Sequence, residues 1–254
     1  MILLLAGTKD ARLLVPILRD AFPDTVILAT AVSEYGAELL RGSDGCEVLQ
    51  GKLDAAALSG LIRERGIRVL VDATHPFAEQ ASSTARFAAL EANIPCLRYE
   101  RPHLALQEGE NYFPVPDFKA AALLAANFSG TIFLTIGTRH LGEFLAALPQ
   151  GRKVVARVLP EVESIRDCRE LGLTPAEIIA IQGPLTVELN AALFTAFQAG
   201  VVVSKESGET GGTREKAEAA RILQIPLILV SRPPKPQGIN CTLQLVSELR
   251  KIIC

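Results

Sequence analysis

Val201-Val-Val-Ser-Lys-Glu-Ser-Gly-Glu-Thr-Gly-Gly-Thr213 runs from an apolar strand into a loop with a lysine and glycines, and then into a helical pattern. A strand that turns through glycines into a helix aims several backbone N–H groups at one point, and the helix dipole favours an anion there. Lys205 adds a full positive charge. The plainer reading of Gly208, Gly211 and Gly212 is that they only permit a tight turn. No Lys-Ser or Lys-Thr pair follows the glycines at the required spacing, so this is not a Walker A loop. The stretch reads as an anion site at the carboxyl end of a buried strand, and such strands belong to parallel α/β sheets.

The same alternation extends in both directions. Strands are expected at Ile2–Ala6, Val26–Thr30, Arg68–Asp72, Thr131–Thr135, Lys153–Ala156, Ile178–Ile181, Gly200–Ser204 and Pro226–Val230. Amphipathic helical patterns lie between them, among them Asp54–Arg65, Glu79–Asn93, Phe118–Asn127, Thr186–Gln198 and Thr213–Leu223. Near-continuous apolar strands with helical crossovers predict mainly parallel sheets covered on both faces. The Pro-rich, polar run Glu100–Pro116 interrupts the alternation. The fold class read from this is α/β, with two Rossmann-like lobes, residues 1–116 and 117–254, and a cleft between them. One wider doubly wound sheet is the alternative.

Bulk composition narrows the partners. The chain has 254 residues, 49% hydrophobic and 21% charged, as in ordinary globular proteins. Its net charge of -2 argues against sequence-independent nucleic-acid binding, so an anionic ligand must be held by local cations. Ile2–Leu5 is too short and lacks the basic flank of a signal peptide or membrane span, so no membrane partner is expected. The five scattered cysteines contain no CxxC pair, which suits free thiols in a reducing cytoplasm.

Ligands of open α/β sheets lie beyond the carboxyl ends of the strands. After the first strand come Gly7, Thr8, Asp10 and Arg12, where the glycine turn, the Thr hydroxyl and the backbone N–H groups can reach a diphosphate. Asp10 is equally a first-turn acid favoured by the dipole. After the second strand stands Ser33, not the acid that usually holds the ribose of NAD; this favours NADPH, while Glu34 keeps NADH open. After Asp72 come Thr74, His75 and Pro76. Pro76 suits the first turn of a helix, leaving His75 near a helix N-terminus that tends to keep it neutral. A local cap is the competing role for that histidine. Further on, Arg139 and His140 follow a strand, as does Gln182-Gly-Pro184, and Arg98, Arg101, Arg157 and Arg232 lie at or near strand ends. Each arginine alone reads as a surface charge; several at one sheet edge, with their planar forks, suggest a ligand with many carboxylates. Neither a Tyr-x-x-x-Lys pair nor a G-x-S-x-G elbow is present, and the three histidines lack metal-site spacing.

In order and spacing, these stretches resemble precorrin-6A reductase, including its cobalt-precorrin-6A form. The resemblance rests on Leu4-Leu-Ala-Gly-Thr-Lys-Asp-Ala11, Asp72-Ala-Thr-His-Pro-Phe-Ala78, Arg101-Pro102, Thr135-Ile-Gly-Thr-Arg-His-Leu141, Gln182-Gly-Pro184, Lys205-Glu-Ser-Gly208, Gly211-Gly212 and Arg232-Pro233. Ala6, Asp10 and His103 depart from the family's usual glycine, glutamate and aromatic. It implies a two-lobed enzyme of the cobalamin pathway that reduces the C18–C19 double bond of an anionic tetrapyrrole with a reduced nicotinamide. On that reading Gly7, Thr8, Asp10, Arg12, Ser33, Thr74, His75 and Pro76 hold the cofactor in the first lobe, with His75 the catalytic candidate. Arg101, Arg139, Lys205, Ser207, Gly211, Gly212, Thr213 and Arg232 anchor the substrate, the second lobe contributing its site. Other enzymes of the pathway are candidate partners. The rival expectations are a nicotinamide enzyme for a small carbonyl compound and a non-catalytic carrier or regulator that binds a tetrapyrrole or nucleotide.

Overall fold

The computed structural model describes residues 1–42, 45–100, 111–233 and 238–253. The chain forms two compact units, Met1–Pro102 with Pro234–Cys254, and His103–Pro233. Each has its own parallel sheet, so two sheets replace the alternative of a single wide one.

In the first unit β1 (Ile2–Leu5), β2 (Ile27–Ala31), β3 (Glu47–Gln50), β4 (Val69–Asp72) and β5 (Cys96–Arg98) lie in the order β3-β2-β1-β4-β5. Helices α1 (Lys9–Ala21), α2 (Glu34–Arg41), α3 (Ala55–Glu64) and α4 (Glu79–Glu91) make the crossovers. Side chains of β1 alternate between faces. Ile2 and Leu4 pack with Leu14, Val15 and Leu18 of α1. Leu3 and Leu5 meet Leu58 and Ile62 of α3 and Ala85 and Ala88 of α4. A strand apolar at every position is what this double coverage requires.

The last helix, α10 (Thr242–Ile253), belongs to this unit. Leu245 and Leu249 are fully buried in the cluster around α1. Arg68 donates to the carbonyls of Ile252 (2.6 Å) and Ile253 (2.7 Å), which a helix end leaves without intrahelical partners. A single cut at 116 assigns this helix to the second lobe; its packing assigns it to the first, because its leucines complete the apolar cover on the α1 side.

The second unit holds β6 (Tyr112–Val115), β7 (Thr131–Leu134), β8 (Val154–Val158), β9 (Ile178–Ala180), β10 (Ala199–Lys205) and β11 (Leu227–Val230), in the order β6-β11-β10-β7-β8-β9. Its helices are α5 (Phe118–Ala125), α6 (Leu141–Ala147), α7 (Val162–Glu170), α8 (Val187–Ala196) and α9 (Thr213–Ile222). Phe133, Val155 and Val202 pack with Phe194 of α8 and Ala219 and Ala220 of α9.

Three strands escaped the sequence reading, β3, β5 and β6, and each lies at a sheet edge. Edge strands need neither two apolar faces nor every backbone donor, so Glu47 and Gln50 are tolerated in β3 and Pro114 in β6. Part of the run read as a linker is therefore the first strand of the second unit.

Topology places the ligand crevices. From β1 the first sheet grows through β2 to β3 on one side and through β4 to β5 on the other, so its switch point lies at the carboxyl ends of β1 and β4. In the second sheet β7, β8 and β9 run one way and β10 and β11 the other, which puts the switch point at β7 and β10.

Candidate active site

At the first switch point Gly7 has φ +142, a conformation side-chain-bearing residues rarely adopt, and a Cβ there would meet nothing within 4 Å. The turn therefore needs glycine for its backbone, and it leaves open space directly over the main chain. Thr8 is the N-cap of α1: its hydroxyl accepts from the Ala11 N–H at 3.1 Å and donates to the Ala73 carbonyl at 3.0 Å. That bond ties the turn after β1 to the turn after β4. The hydroxyl's proton is thus directed at Ala73, which leaves the Thr8 backbone N–H as its donor towards the turn. Asp10 lies in the first turn of α1 and Arg12 is half-buried one turn along.

The turn after β4 is held by a buried ion pair. Asp72 accepts from Arg98 Nη1 at 2.8 Å, from the Thr74 hydroxyl at 2.7 Å and from the Thr74 N–H at 3.1 Å. Arg98 also donates to the Thr74 hydroxyl at 2.9 Å. Arg98 and Thr74 thus shape the loop, and Arg98 is withdrawn from the set of carboxylate-binding arginines. Helix α4 begins at Glu79 with Ala78 as its N-cap. Pro76, buried in the preceding turn, is not in the helix's first turn as expected; the Ala78 N–H to His75 carbonyl bond (2.8 Å) closes a turn first. The half-buried His75 accepts the Phe77 N–H at Nδ1 (3.2 Å), which favours the neutral ring with its proton on Nε2. At the end of β2, exposed Ser33 caps α2, its Oγ accepting from the Gly36 N–H at 3.1 Å.

At the second switch point the loop after β10 is bonded to itself. The Ser207 N–H donates to Thr213 Oγ1 (3.2 Å), the two hydroxyls lie 3.1 Å apart, and Ser207 Oγ donates to the Gly211 carbonyl (3.2 Å). Both side chains are buried, and these bonds make Ser207 and Thr213 hold the loop's shape. Gly212 has φ +71, and a Cβ there would sit 2.9 Å from Pro184 Cβ, so it serves both the helix entry and a close approach of two loops. Gly211 ends a 3-10 turn and presents only backbone. The Arg232 side chain is buried, its Nη2 bonded to Glu206 Oε1 at 2.9 Å and its Nε paired with the other carboxylate oxygen. Through Nε and Nη2, Arg232 braces Glu206. Arg101 lies outside the described residues.

Cations nevertheless gather here. Lys205 Nζ lies 4.0 Å from where a Cβ on Gly137 would be, beside the turn after β7 that carries exposed Arg139. Burial, and then Arg139, push the Lys205 ammonium down to about 8. His140 stacks on Phe118 at 4.2 Å, and burial followed by Lys205 lowers its pKa, while Glu143 opposes the shift. Sequence reasoning missed Lys216, which is buried on the first turns of α9. The signal was a lysine on the stripe Thr213, Ala219 and Ala220 that the helix buries. Among the described residues no His/Cys/Asp/Glu group could hold a metal, and no helix is long and apolar enough to cross a membrane.

The chain matches, over residues 1–253, the family model described as Precorrin-6x reductase CbiJ/CobK. It is 40% identical over 240 residues to the cobalt-precorrin-6A reductase of Priestia megaterium, covering 94% of this chain and 92% of that one. It is 39% identical over 235 residues to the enzyme of the same name from Methanothermobacter thermautotrophicus, covering 91% and 76%. A solved structure titled CobK precorrin-6A reductase superposes with a TM-score of 0.76 at 27% identity, covering 100% of this chain and 97% of that one.

Proposed function

This chain belongs to the precorrin-6x reductase family, and we propose that it reduces the C18–C19 double bond of precorrin-6A or cobalt-precorrin-6A to the dihydro (6B) corrin precursor in cobalamin biosynthesis. It is an oxidoreductase acting on a CH–CH group. One observation of the structure carries the reading. A glycine turn with open space over its backbone follows β1, and Lys205, desolvated at the end of β10, lies beside the turn after β7 that carries Arg139, so both features stand at sheet switch points.

A nicotinamide cofactor fits the first unit, because Gly7 leaves space over the backbone where a Cβ would intrude and α1 begins there with its N–H groups directed outward. When bound, the nicotinamide supplies the hydride. Gly7, the backbone of Thr8 and the first turn of α1 with Asp10 are assigned to the diphosphate side, and Thr74, His75 and Pro76 to the nicotinamide side. NADPH is the inferred form: Ser33 stands where an acid would repel a 2′-phosphate, and Arg12 is the cation assigned to it. NADH is the alternative form.

His75 is the catalytic candidate. With Nδ1 engaged by the Phe77 N–H, its neutral ring presents an Nε2–H suited to positioning; to donate the proton that completes the addition it must first be protonated at Nδ1, giving up that bond, and solvent is the other source. Lys205 and Arg139 are assigned to substrate carboxylates, with Gly211 and Gly212 forming the backbone of the same loop. The contribution of these residues is placement of the ring carbon, an effect worth roughly 7–11 kcal/mol where orientation is complete.

The test is anaerobic incubation with precorrin-6A and, separately, its cobalt form, each with NADPH and with NADH, read by product mass and absorbance. A dihydro product that requires reduced cofactor is expected. Macrocycle binding without reduction in every combination would favour the carrier reading.

A further inference from the structure

The turn after β9, Gln182-Gly183-Pro184, touches two neighbours at the carboxyl edge of the second sheet. On one side is Arg157 of β8, whose Nη2, Cζ and Nη1 lie 3.3, 3.7 and 3.8 Å from where a Cβ on Gly183 would be. On the other is the loop after β10, since a Cβ on Gly212 would sit 2.9 Å from Pro184 Cβ. Two residues of one turn therefore link Arg157 to the glycine loop that leads into α9. Val155, two places before Arg157 on the same strand, packs with α8 and α9, so the Arg157 side chain leaves the sheet on that face. Gly183 is not held in the left-handed region that Gly212 occupies, so its backbone does not call for glycine. What a side chain there would meet is the Arg157 guanidinium, closer than ordinary van der Waals contact. Glycine at 183 lets the fork lie against the turn.

That fork is uncommitted. Arg232 is spent on Glu206, and Arg152 donates to the carbonyls of Phe128 and Gly130. Among the described residues neither a hydrogen bond nor an ion pair engages Arg157, and its nitrogens are not sealed in as Arg152 Nε is. Burial still lowers its pKa, so the charge is partly desolvated. The acid near this turn is Glu215, with Oε2 buried, without a hydrogen-bond partner, and 3.7 Å from where the Gly212 Cβ would be. No ion pair joins it to Arg157, and its charge acts on Lys216, the next residue of α9. A planar fork left open in a half-buried place suits a carboxylate brought by a ligand. We propose that Arg157 is a further substrate-binding residue, its two Nη groups taking a carboxylate of the macrocycle, and that Gly183 is the seat that positions it. The ligand's identity rests on the reductase reading; the open fork does not. A dinucleotide phosphate shares the chemistry, and the test separates the two sources.

The experiment uses the full chain, the octacarboxylate macrocycle uroporphyrin I as probe, and NADPH in parallel titrations. Arg157→Gln should weaken uroporphyrin binding about tenfold or more, as for loss of one charge-assisted hydrogen bond. It should keep NADPH affinity and the parent's melting temperature, since no bond within the protein is lost. Arg157→Lys restores the charge without the fork and should recover only part of the affinity. Gly183→Ala leaves Arg157 in place but crowds its fork; it should show a smaller loss of the same kind, and it decides the matter if Arg157→Gln does not fold. Glu215→Gln should leave uroporphyrin affinity unchanged or raise it. The same ranking should appear in KM for whichever form of precorrin-6A is reduced. Undiminished macrocycle binding with a lowered melting temperature in Arg157→Gln would overturn the proposal, giving Arg157 to the fold. Loss of NADPH rather than macrocycle affinity would overturn it too, giving the fork to a dinucleotide phosphate. So would a Glu215→Gln variant that loses as much as Arg157→Gln, with the double variant losing no more, because Arg157 would then act through Glu215. A parent protein that binds uroporphyrin through Arg157 yet never reduces precorrin-6A would retire the reductase reading and leave the open fork standing; one that takes up neither macrocycle would overturn both.

Discussion

Ser33 and Lys216 each permit a test at the scale of one side chain. Aspartate caps a helix as well as serine does, so Ser33→Asp should leave stability within a few tenths of a kcal/mol while adding the charge that repels a 2′-phosphate. Steady-state kinetics should show kcat/KM shifting from NADPH towards NADH; an unchanged ratio removes Ser33 from the cofactor site. For Lys216 the sign follows from a pKa of about 7 in the folded protein against an ordinary 10.5. Between those values the unfolded chain binds more protons than the folded one, so stability rises with pH from about 7 towards 10.5. Lys216→Met, which removes this buried charge, should therefore stabilise the protein most below about pH 7 and less above it, as melting curves across pH would show. A gain that does not change with pH would mean that Lys216 titrates normally.

Among elements, the strands with two covered faces were legible because every position is apolar, as in β1 and β4. The polar or Pro-bearing edge strands β3, β5 and β6 were not, since an edge relaxes both the pattern and the need for donors. The site shows the same division. Lys205 and Arg139 were legible as cations after strands, and Gly7 as a turn. That Arg232 and Arg98 are neutralised by Glu206 and Asp72, acids far from them in sequence, required the fold. The β7–β10 pairing has its own unadvertised requirement: a Cβ on Gly200 would lie 1.6 Å from the Ser129 carbonyl oxygen, where the register shifts between Ala199 and Val201. Gly200→Ala should cost about 3 kcal/mol or more in urea denaturation, because backbone rather than a movable side chain blocks the methyl group. A cost below about 1 kcal/mol would show that the two strands can part easily.

For the whole molecule, the chain returns to its first unit after building the second. The consequence is that the C-terminal helix supports a sheet made more than a hundred residues earlier. Leu249→Ala, which opens a cavity in that cluster, should lower the stability of the first unit by about 3 kcal/mol. Amide exchange should quicken in β1, β2 and β4 while β7 and β10 stay protected; equal loss in both sheets would mean that the units unfold as one. The account as a whole claims that this chain moves a hydride from a nicotinamide to a corrin precursor. Single turnover with NADPH deuterated stereospecifically at C4 tests that most directly, under anaerobic conditions and with whichever form of precorrin-6A is accepted. The account predicts one deuterium carried into the dihydro product from one of the two C4 faces; a product containing none from either face would contradict it.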